Sequence, residues 1–446
     1  MEEPSARGIA AAVGRLVNQC KIKPGDRLPT VRSVAVGLRV SPTTVSHAWR
    51  SLARAGLVTT RGRSGTFVRG EVHASPAARM LRVFGNPAGL SLDLSSGIPD
   101  AALLPDWGPS LARAGEQRFA SHYGDVPVLP ALEEILRDRW PFRPERLTVL
   151  DGALDALDRV AAITVQFGDR VLVENPCFPP MLDILQERGA QPVPVELDDD
   201  GPSPEAVRRA LDANPTVFLL QPRAHNPAGV SLSDVRARQL AEVLAGTSVV
   251  VVEDDHAGDI SSAPLVSLGR HLPGQVVHIR SFAKSHGPDL RLAAVGGPSW
   301  AIDAIDQRRL LGPGWSSRLL QAVLVDLLTD AAPTAEVRAA RDVYARRRRR
   351  VVDLLAERGV HTTGQDGINL WVAVSHEQSA LVVLAADGIG AAPGAPFEVA
   401  PLRDDHLRVT VGLVPEEDAA RVADALALAA NPSGRPPLAD RRRGYR

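Results

Sequence analysis

Lysine is almost missing from this 446-residue chain: among its 51 lysines and arginines, only Lys21, Lys23 and Lys284 are lysine. Cysteine is as scarce, with Cys20 and Cys177 far apart, which excludes a disulfide framework and fits a reducing compartment. No apolar run approaches the roughly 18 residues that a membrane helix needs, and Met1 is followed by Glu2 and Glu3 instead of a basic leader. No repeat or low-complexity array interrupts the sequence. These absences predict a cytoplasmic protein with no membrane partner. At this length, with 44% hydrophobic and 23% charged residues, it is expected to fold as two or three ordinary globular domains.

The net charge of -1 conceals an asymmetry. Residues 1–70 hold twelve Lys/Arg against three Asp/Glu, which leaves the remainder acidic by ten, so one end of the chain is suited to a polyanion. Within that end, "ARGIAAAVGRLVN" places Ile9, Val13 and Leu16 or Val17 at helical spacing, and Pro24-Gly25-Asp26 forces a turn. A second short helix starts near Thr30. A third follows Ser41 and Pro42, a cap and a first-turn proline, and Gly56 ends it. "LVTTRGRSGTFV" then reads as a hairpin with a basic, glycine-rich tip. Together these elements predict a winged helix-turn-helix for double-stranded operator DNA. Thr43, Thr44, Ser46, His47 and Arg50 of the third helix suit base edges, and Arg27, Arg32, Arg61 and Arg63 suit phosphates, with Gly65 permitting close backbone approach. Affinity should then fall steeply with salt, and operator half-sites imply a homodimer.

Residues 71–90 lack a clear period and are rich in Ala, Pro and Gly, so they read as a linker. From 91 to 430 apolar strands alternate with amphipathic helices, which implies a largely parallel sheet covered on both faces. One long helix candidate near 330–350 leads to a smaller α+β unit ending at about 430, and residues 431–446 form a basic tail. The Arg346–Arg350 run reads as a solvated helix face.

Arginine serves wherever only positive charge is needed, but it cannot shed its proton near neutral pH to become a nucleophile, and lysine can. Retention of Lys284 therefore points to covalent chemistry with an aldehyde cofactor such as pyridoxal phosphate. Such a cofactor needs an amine, an acid beside the pyridine nitrogen, and cations or amides around its phosphate. Asp254 ends a strand thirty residues earlier. Ser281 and Arg291 flank the lysine, and "LDGALDALDRV" offers Gly152 and Ala153 at a helix N-terminus. Asn226 sits in an Asn-Pro turn, and Phe178 in "ENPCFPP" is an aromatic suited to ring stacking.

The first seventy residues resemble the GntR family of bacterial transcription regulators through "PGDRLPTVR…LRVSPTTVSHAWRSLARAGLV…RGRSGTFV". Residues from about Leu92 to Ala430 resemble fold-type I pyridoxal-phosphate enzymes of the class I/II aminotransferase group. The combination is that of the MocR family. The resemblance implies a multidomain chain, a winged helix-turn-helix ahead of an α/β/α aminotransferase-like domain with a smaller C-terminal α+β subdomain. It also implies Lys284 as the internal aldimine, Asp254 on the pyridine nitrogen, Asn226 on the phenolic oxygen and Phe178 as stacker. Gly152, Ala153, Ser281 and Arg291 would hold the phosphate, Tyr123 would reach the phosphate of the neighbouring subunit, and Arg408 would bind a substrate carboxylate. The chain departs from the family at His256, where tyrosine is usual, and at Leu154 and Val128. The expected function is a pyridoxal-phosphate-dependent transcription regulator responding to an amino compound or to the cofactor itself, with an active aminotransferase as the alternative.

Overall fold

A computed structural model describes residues 5–18, 21–23, 25–54, 58–60, 65–68, 77–83, 90–117, 119, 122 and 126–430. The N-terminal unit has helices Ala6–Asn18, Val31–Leu38 and Pro42–Arg54, then an antiparallel hairpin of Val58–Thr60 and Thr66–Val68. The expected cap at Ser41 forms, its Oγ accepting the Thr44 amide at 3.0 Å, and Thr30 caps the second helix as well, its Oγ1 accepting the Ser33 amide at 3.2 Å. Val45, Ala48, Trp49 and Leu52 repeat at helical spacing and are buried with Ile9, Leu28, Val58 and Val68. That burial fixes which face of the third helix is left to solvent. A bridge between Arg27 and Phe67 adds the turn after the first helix to the hairpin. Gly56 and the hairpin tip with Arg61 and Arg63 lie outside the described residues.

The segment read as a linker is not uniformly irregular. Residues Ala78–Val83 form a helix that docks on the helix Pro179–Glu187. The Arg79 amide (3.2 Å) and the Met80 amide (3.1 Å) donate to Asp183 Oδ2, a carboxylate at a helix N-terminus. No hydrophobic period announces this helix, because long-range capping by Asp183 substitutes for a face of its own.

The large domain is built on an eight-stranded sheet in the order Arg146–Leu150, Ala293–Gly297, Val276–Ser281, Val250–Asp255, Val217–Leu220, Arg170–Asn175, Gln191–Asp198, Gly201–Pro202. The pairings from Gln191–Asp198 to Val276–Ser281 are parallel, and Ala293–Gly297 is antiparallel to both its neighbours. The central strands are buried and begin in apolar runs because helices cover both faces, in two core clusters on opposite sides of the sheet. Each fully buried Leu or Val contributes about 1.5–3 kcal/mol. The strands at Val217, Val250 and Val276 all run the same way, so their C-terminal ends gather side chains far apart in sequence at one rim, where open α/β sheets bind ligands.

The smaller unit pairs Leu370–Val374, Asp405–Val409 and Ala392–Pro393 in a three-stranded antiparallel sheet beneath helices Glu377–Ala386 and Ala419–Ala430. Leu92–Asp93 pairs in parallel with Ile389–Gly390, so the first residues after the linker belong to this unit and not to the large one. Helix Ala331–Glu357 joins the two units. Its arginine run is not one solvated face. Arg346, Arg349 and Arg350 are exposed, but Arg348 is buried with its guanidinium on the carbonyls of Asn369, Thr363 and Gly364. Arg347 is tied to Asp100 at 2.7 Å. Five successive residues span more than one full turn of a helix, so some of them must face inward whatever their charge.

Candidate functional site

Lys284 lies on the short helix Ala283–His286, directly after the strand Val276–Ser281. Its Nζ is 2.9 Å from His256 Nδ1, and His256 Nε2 is 2.9 Å from the Ala224 carbonyl oxygen. A carbonyl only accepts, so Nε2 carries the ring proton and Nδ1 accepts from the amine. Burial, and then the nearby positive charge of Lys284, push the His256 pKa well below its ordinary value, which keeps the ring neutral and able to accept. The histidine that replaces the family's tyrosine thus holds the lysine amine itself.

Burial brings Lys284 down to about 8, with Asp254 pulling it back up and the charge of Arg408 lowering it further. Asp254 is raised to about 6, again by burial first, with the Gln221 hydrogen bond and Lys284 acting against it. The two groups titrate toward one another, the usual sign of a site built for proton-dependent chemistry. At pH 7 an amine near 8 is about one-tenth neutral, against roughly 0.03% for an ordinary lysine. Attachment of an aldehyde such as pyridoxal phosphate should therefore speed up about tenfold per pH unit and level off near pH 8. Stopped-flow spectra across pH 6–10 check this. A rate still climbing at pH 10 would mean an unperturbed amine.

Asp254 Oδ2 accepts from Gln221 Nε2 at 2.8 Å, while its buried Oδ1 has no partner among the described residues. An ionised, fully enclosed oxygen without a donor is costly, and a protonated ring nitrogen would satisfy it. Gln221 Oε1 in turn accepts the Asn226 amide at 2.8 Å, so one glutamine positions both the acid and the turn. Asn226 Oδ1 accepts from Asn369 Nδ2 at 3.4 Å. Gly152 stands at the head of helix Ala153–Thr164 with φ 102, and the Arg291 guanidinium lies over it, its Nη2 donating to the Asp151 carbonyl at 2.9 Å. A Cβ at Gly152 would come within 3.0 Å of that guanidinium, so the glycine leaves room for a cation beside free helix amides. Ser281 is buried with its hydroxyl accepting from the Ala283 amide at 3.3 Å. Phe178 is half-buried ahead of helix Pro179–Glu187 and packs on the core beside the sheet.

Arg408 is buried on the strand Asp405–Val409, donates to the Ser95 carbonyl and stacks 5.6 Å from the Phe397 ring centroid. Its Nε has no partner. Burial lowers it to about 10, with Asp93 opposing. The pyridoxal-phosphate donor set therefore fits these residues: an amine, an acid with a spare buried oxygen, a glycine cradle under a guanidinium, and an arginine with an unused N–H. Tyr123 lies outside the described residues.

Gln221 and Asn369 escaped sequence reasoning. Gln221 ends an apolar strand five residues before Asn226, a spacing that could have drawn attention. Asn369 precedes a small-domain strand, and nothing local marks it.

On the N-terminal unit, Thr43, His47 and Arg50 are exposed on one face of the third helix, and Arg27 and Arg32 are exposed as well. Thr44 and Ser46 are half-buried, and Thr44 Oγ1 is engaged with Ser41 Oγ at 2.8 Å. Gly65 has φ 109, and a Cβ there would lie 2.7 Å from Arg27 Nε, so this glycine makes room for Arg27.

A winged helix-turn-helix joined to a fold-type I aminotransferase-like domain with a lysine-centred pocket defines the class. Residues 91–426 match the family of class I and II aminotransferases and residues 5–68 the gntR family of bacterial regulatory proteins, and the chain belongs to both, as a MocR-type regulator does. The vitamin B6 salvage pathway transcriptional repressor PtsJ of Salmonella typhimurium is 36% identical over 400 residues, covering 88% of this chain and 91% of that protein. The probable rhizopine catabolism regulatory protein MocR of Rhizobium meliloti is 27% identical over 365 residues, 75% of this chain and 73% of its own. In fold, the chain is similar to the α-aminoadipate aminotransferase LysN of Thermus thermophilus, complexed with N-(5'-phosphopyridoxyl)-L-leucine. That match has a TM-score of 0.70 at 21% identity and covers 79% of this chain and 96% of the other. Among the described residues, no helix is long and apolar enough to cross a membrane.

Proposed function

We propose that the chain is a pyridoxal-phosphate-dependent transcription regulator in which the Lys284 pocket reads an amino compound, or the cofactor itself, and the winged helix carries the response to operator DNA. The observation that supports this most directly is the amine of Lys284 held 2.9 Å from His256 beside the unpaired Asp254 oxygen, in a chain whose other end is a DNA-binding unit. The cofactor, when bound, supplies an aldehyde that amines capture reversibly. Around it, Asp254 would hold the ring nitrogen, Asn226 the phenolic oxygen, and Gly152, Ala153, Ser281 and Arg291 the phosphate, with Phe178 against the ring. Tyr123 of a second copy would complete the phosphate site, which makes a homodimer part of the reading. His256 accepts a hydrogen bond from the lysine and keeps the amine aimed at the pocket, and Arg408 offers its spare N–H to the carboxylate of an amino compound. An effector shifts DNA binding only by favouring one domain arrangement over another, and the helix Ala331–Glu357, which joins the large domain to the smaller C-terminal unit, is the link through which those two would move.

The test is to titrate purified protein with pyridoxal phosphate and a panel of amino compounds while following the visible spectrum and operator affinity together. Compounds that alter the spectrum should alter DNA affinity, with little turnover. Turnover at about 1 per second or faster would instead favour a working aminotransferase.

The DNA-facing side chains divide by role. His47→Ala should cost about 1–3 kcal/mol on the operator and little on random DNA, because a base-edge contact is lost. Arg32→Ala should weaken both to a similar degree and flatten the salt dependence. Fluorescence anisotropy on operator and scrambled duplexes at two salt concentrations reads out both, and equal operator losses with unchanged discrimination would overturn the assignment of His47.

A further inference from the structure

Behind the turn that carries Lys284 lies a cavity of about 320 Å³, at the small end of the range for ligand sites. None of the residues assigned above to cofactor or effector lines it. Its wall is cationic: Arg139, Arg223, Arg280, Arg338 and Arg341 face it, with Asp259 the one carboxylate in the lining. Arg223 is spent on the buried Asp255, at 2.6 Å, and on backbone carbonyls, so it is a fixed strut. The others are not. Arg280 is buried and gives Nη2 to Asp259 at 2.7 Å, but its buried Nε has no partner. Arg338 makes no ion pair among the described residues, and the carboxylate paired with Arg341 is its neighbour Asp342 at 3.8 Å. Counting Asp255, Asp259 and Asp342 against five guanidiniums leaves an excess of two positive charges around a half-open space.

The long helix is arranged to present this charge. Thr334, Val337, Arg338 and Arg341 follow the spacing of one helix face, and that face lines the cavity. Cations crowded together repel and gain nothing unless an anion completes them, and guanidinium forks suit oxyanions above other anions. Part of the remaining wall comes from Arg280 and His286, four residues before and two after Lys284, so an occupant would press on the reverse side of the lysine turn.

We propose that this cavity is a second ligand site, separate from the Lys284 pocket, for a small multivalent oxyanion such as a phosphate ester or a polycarboxylate. The full chain, loaded with pyridoxal phosphate and reduced with borohydride so that the first pocket is closed, is titrated calorimetrically with inorganic phosphate and, separately, with citrate. The same titrations are run on protein without cofactor. One saturable site per chain is expected for either anion in the loaded form, and phosphate should show a second in the form without cofactor, whose phosphate cradle is then open; in the loaded form, tighter binding of phosphate marks a phosphate-ester site and tighter binding of citrate a polycarboxylate site. Replacing Arg338→Ala and Arg341→Ala together, both at the cavity mouth, should weaken binding about tenfold or more. Asp259→Asn should strengthen it by removing the competing carboxylate. No saturable heat from either anion up to about 10 mM, or an affinity untouched by the double substitution, overturns the proposal.

Discussion

Lys284→Ala is expected to abolish the stoichiometric, pocket-held attachment of pyridoxal phosphate to this chain, and with it the response of operator binding to amino compounds. The loss should be specific because Lys21 and Lys23, the other two lysines, lie exposed in the N-terminal unit, so any attachment they take up is outside the pocket and cannot stand in for Lys284. Lys284→Arg is the sharper control. It keeps the positive charge, but a guanidinium does not shed its proton near neutral pH, so attachment should fail equally. Mass spectrometry of the reduced protein checks the modification, and an anisotropy titration with and without amino compounds checks the response. A Lys284→Ala protein that keeps both its visible absorbance and its DNA response would remove the basis of the sensing mechanism. A melting curve shows that the variant still folds.

Asp254→Asn should separate stability from cofactor binding. The fold raises this carboxyl from 3.8 to about 6, so the folded state favours its protonated form. Stability is therefore lost as pH rises from about 3.8 to 6, and above that window the buried carboxylate costs about 3 kcal/mol at 1.36 kcal/mol per unit. Asparagine keeps the shape, still accepts from Gln221 and carries no charge. At pH 9, where Lys284 is neutral and no ion pair is broken, the variant without cofactor should melt at a higher temperature than the parent. It should at the same time bind pyridoxal phosphate about 10- to 150-fold more weakly, from the loss of a charge-assisted hydrogen bond worth about 1.5–3 kcal/mol. Scanning calorimetry and a spectral titration measure the two effects. A variant that melts lower and binds as tightly would mean that Asp254 is a structural acid.

Much of the N-terminal unit was legible locally. Ser41, Pro42 and the 45, 48, 49, 52 spacing state where the third helix starts and which face it buries, because caps and amphipathic faces act within a few residues. The chemistry of Lys284, Asp254 and Asn226 was legible for a related reason: each ends a strand or occupies a turn with its own signal. Gln221 as the support of both Asp254 and Asn226 was not, since its role arises from where parallel strands end side by side. The helix at Ala78–Val83 was hidden in the same way, capped by a carboxylate more than a hundred residues later.

What the sequence by itself determined is the chemical inventory: a single lysine after residue 23 in a chain of arginines, a basic first seventy residues, and alternating apolar strands and helices. Only the tertiary structure decided that His256 accepts a hydrogen bond from Lys284, that one oxygen of Asp254 is left unpaired among the described residues, that Arg348 is buried while Arg350 is not, and that five arginines line one cavity. Helix and strand preference are set by neighbours along the chain, whereas burial, hydrogen-bond partners and pKa depend on neighbours in space, and packing chooses those.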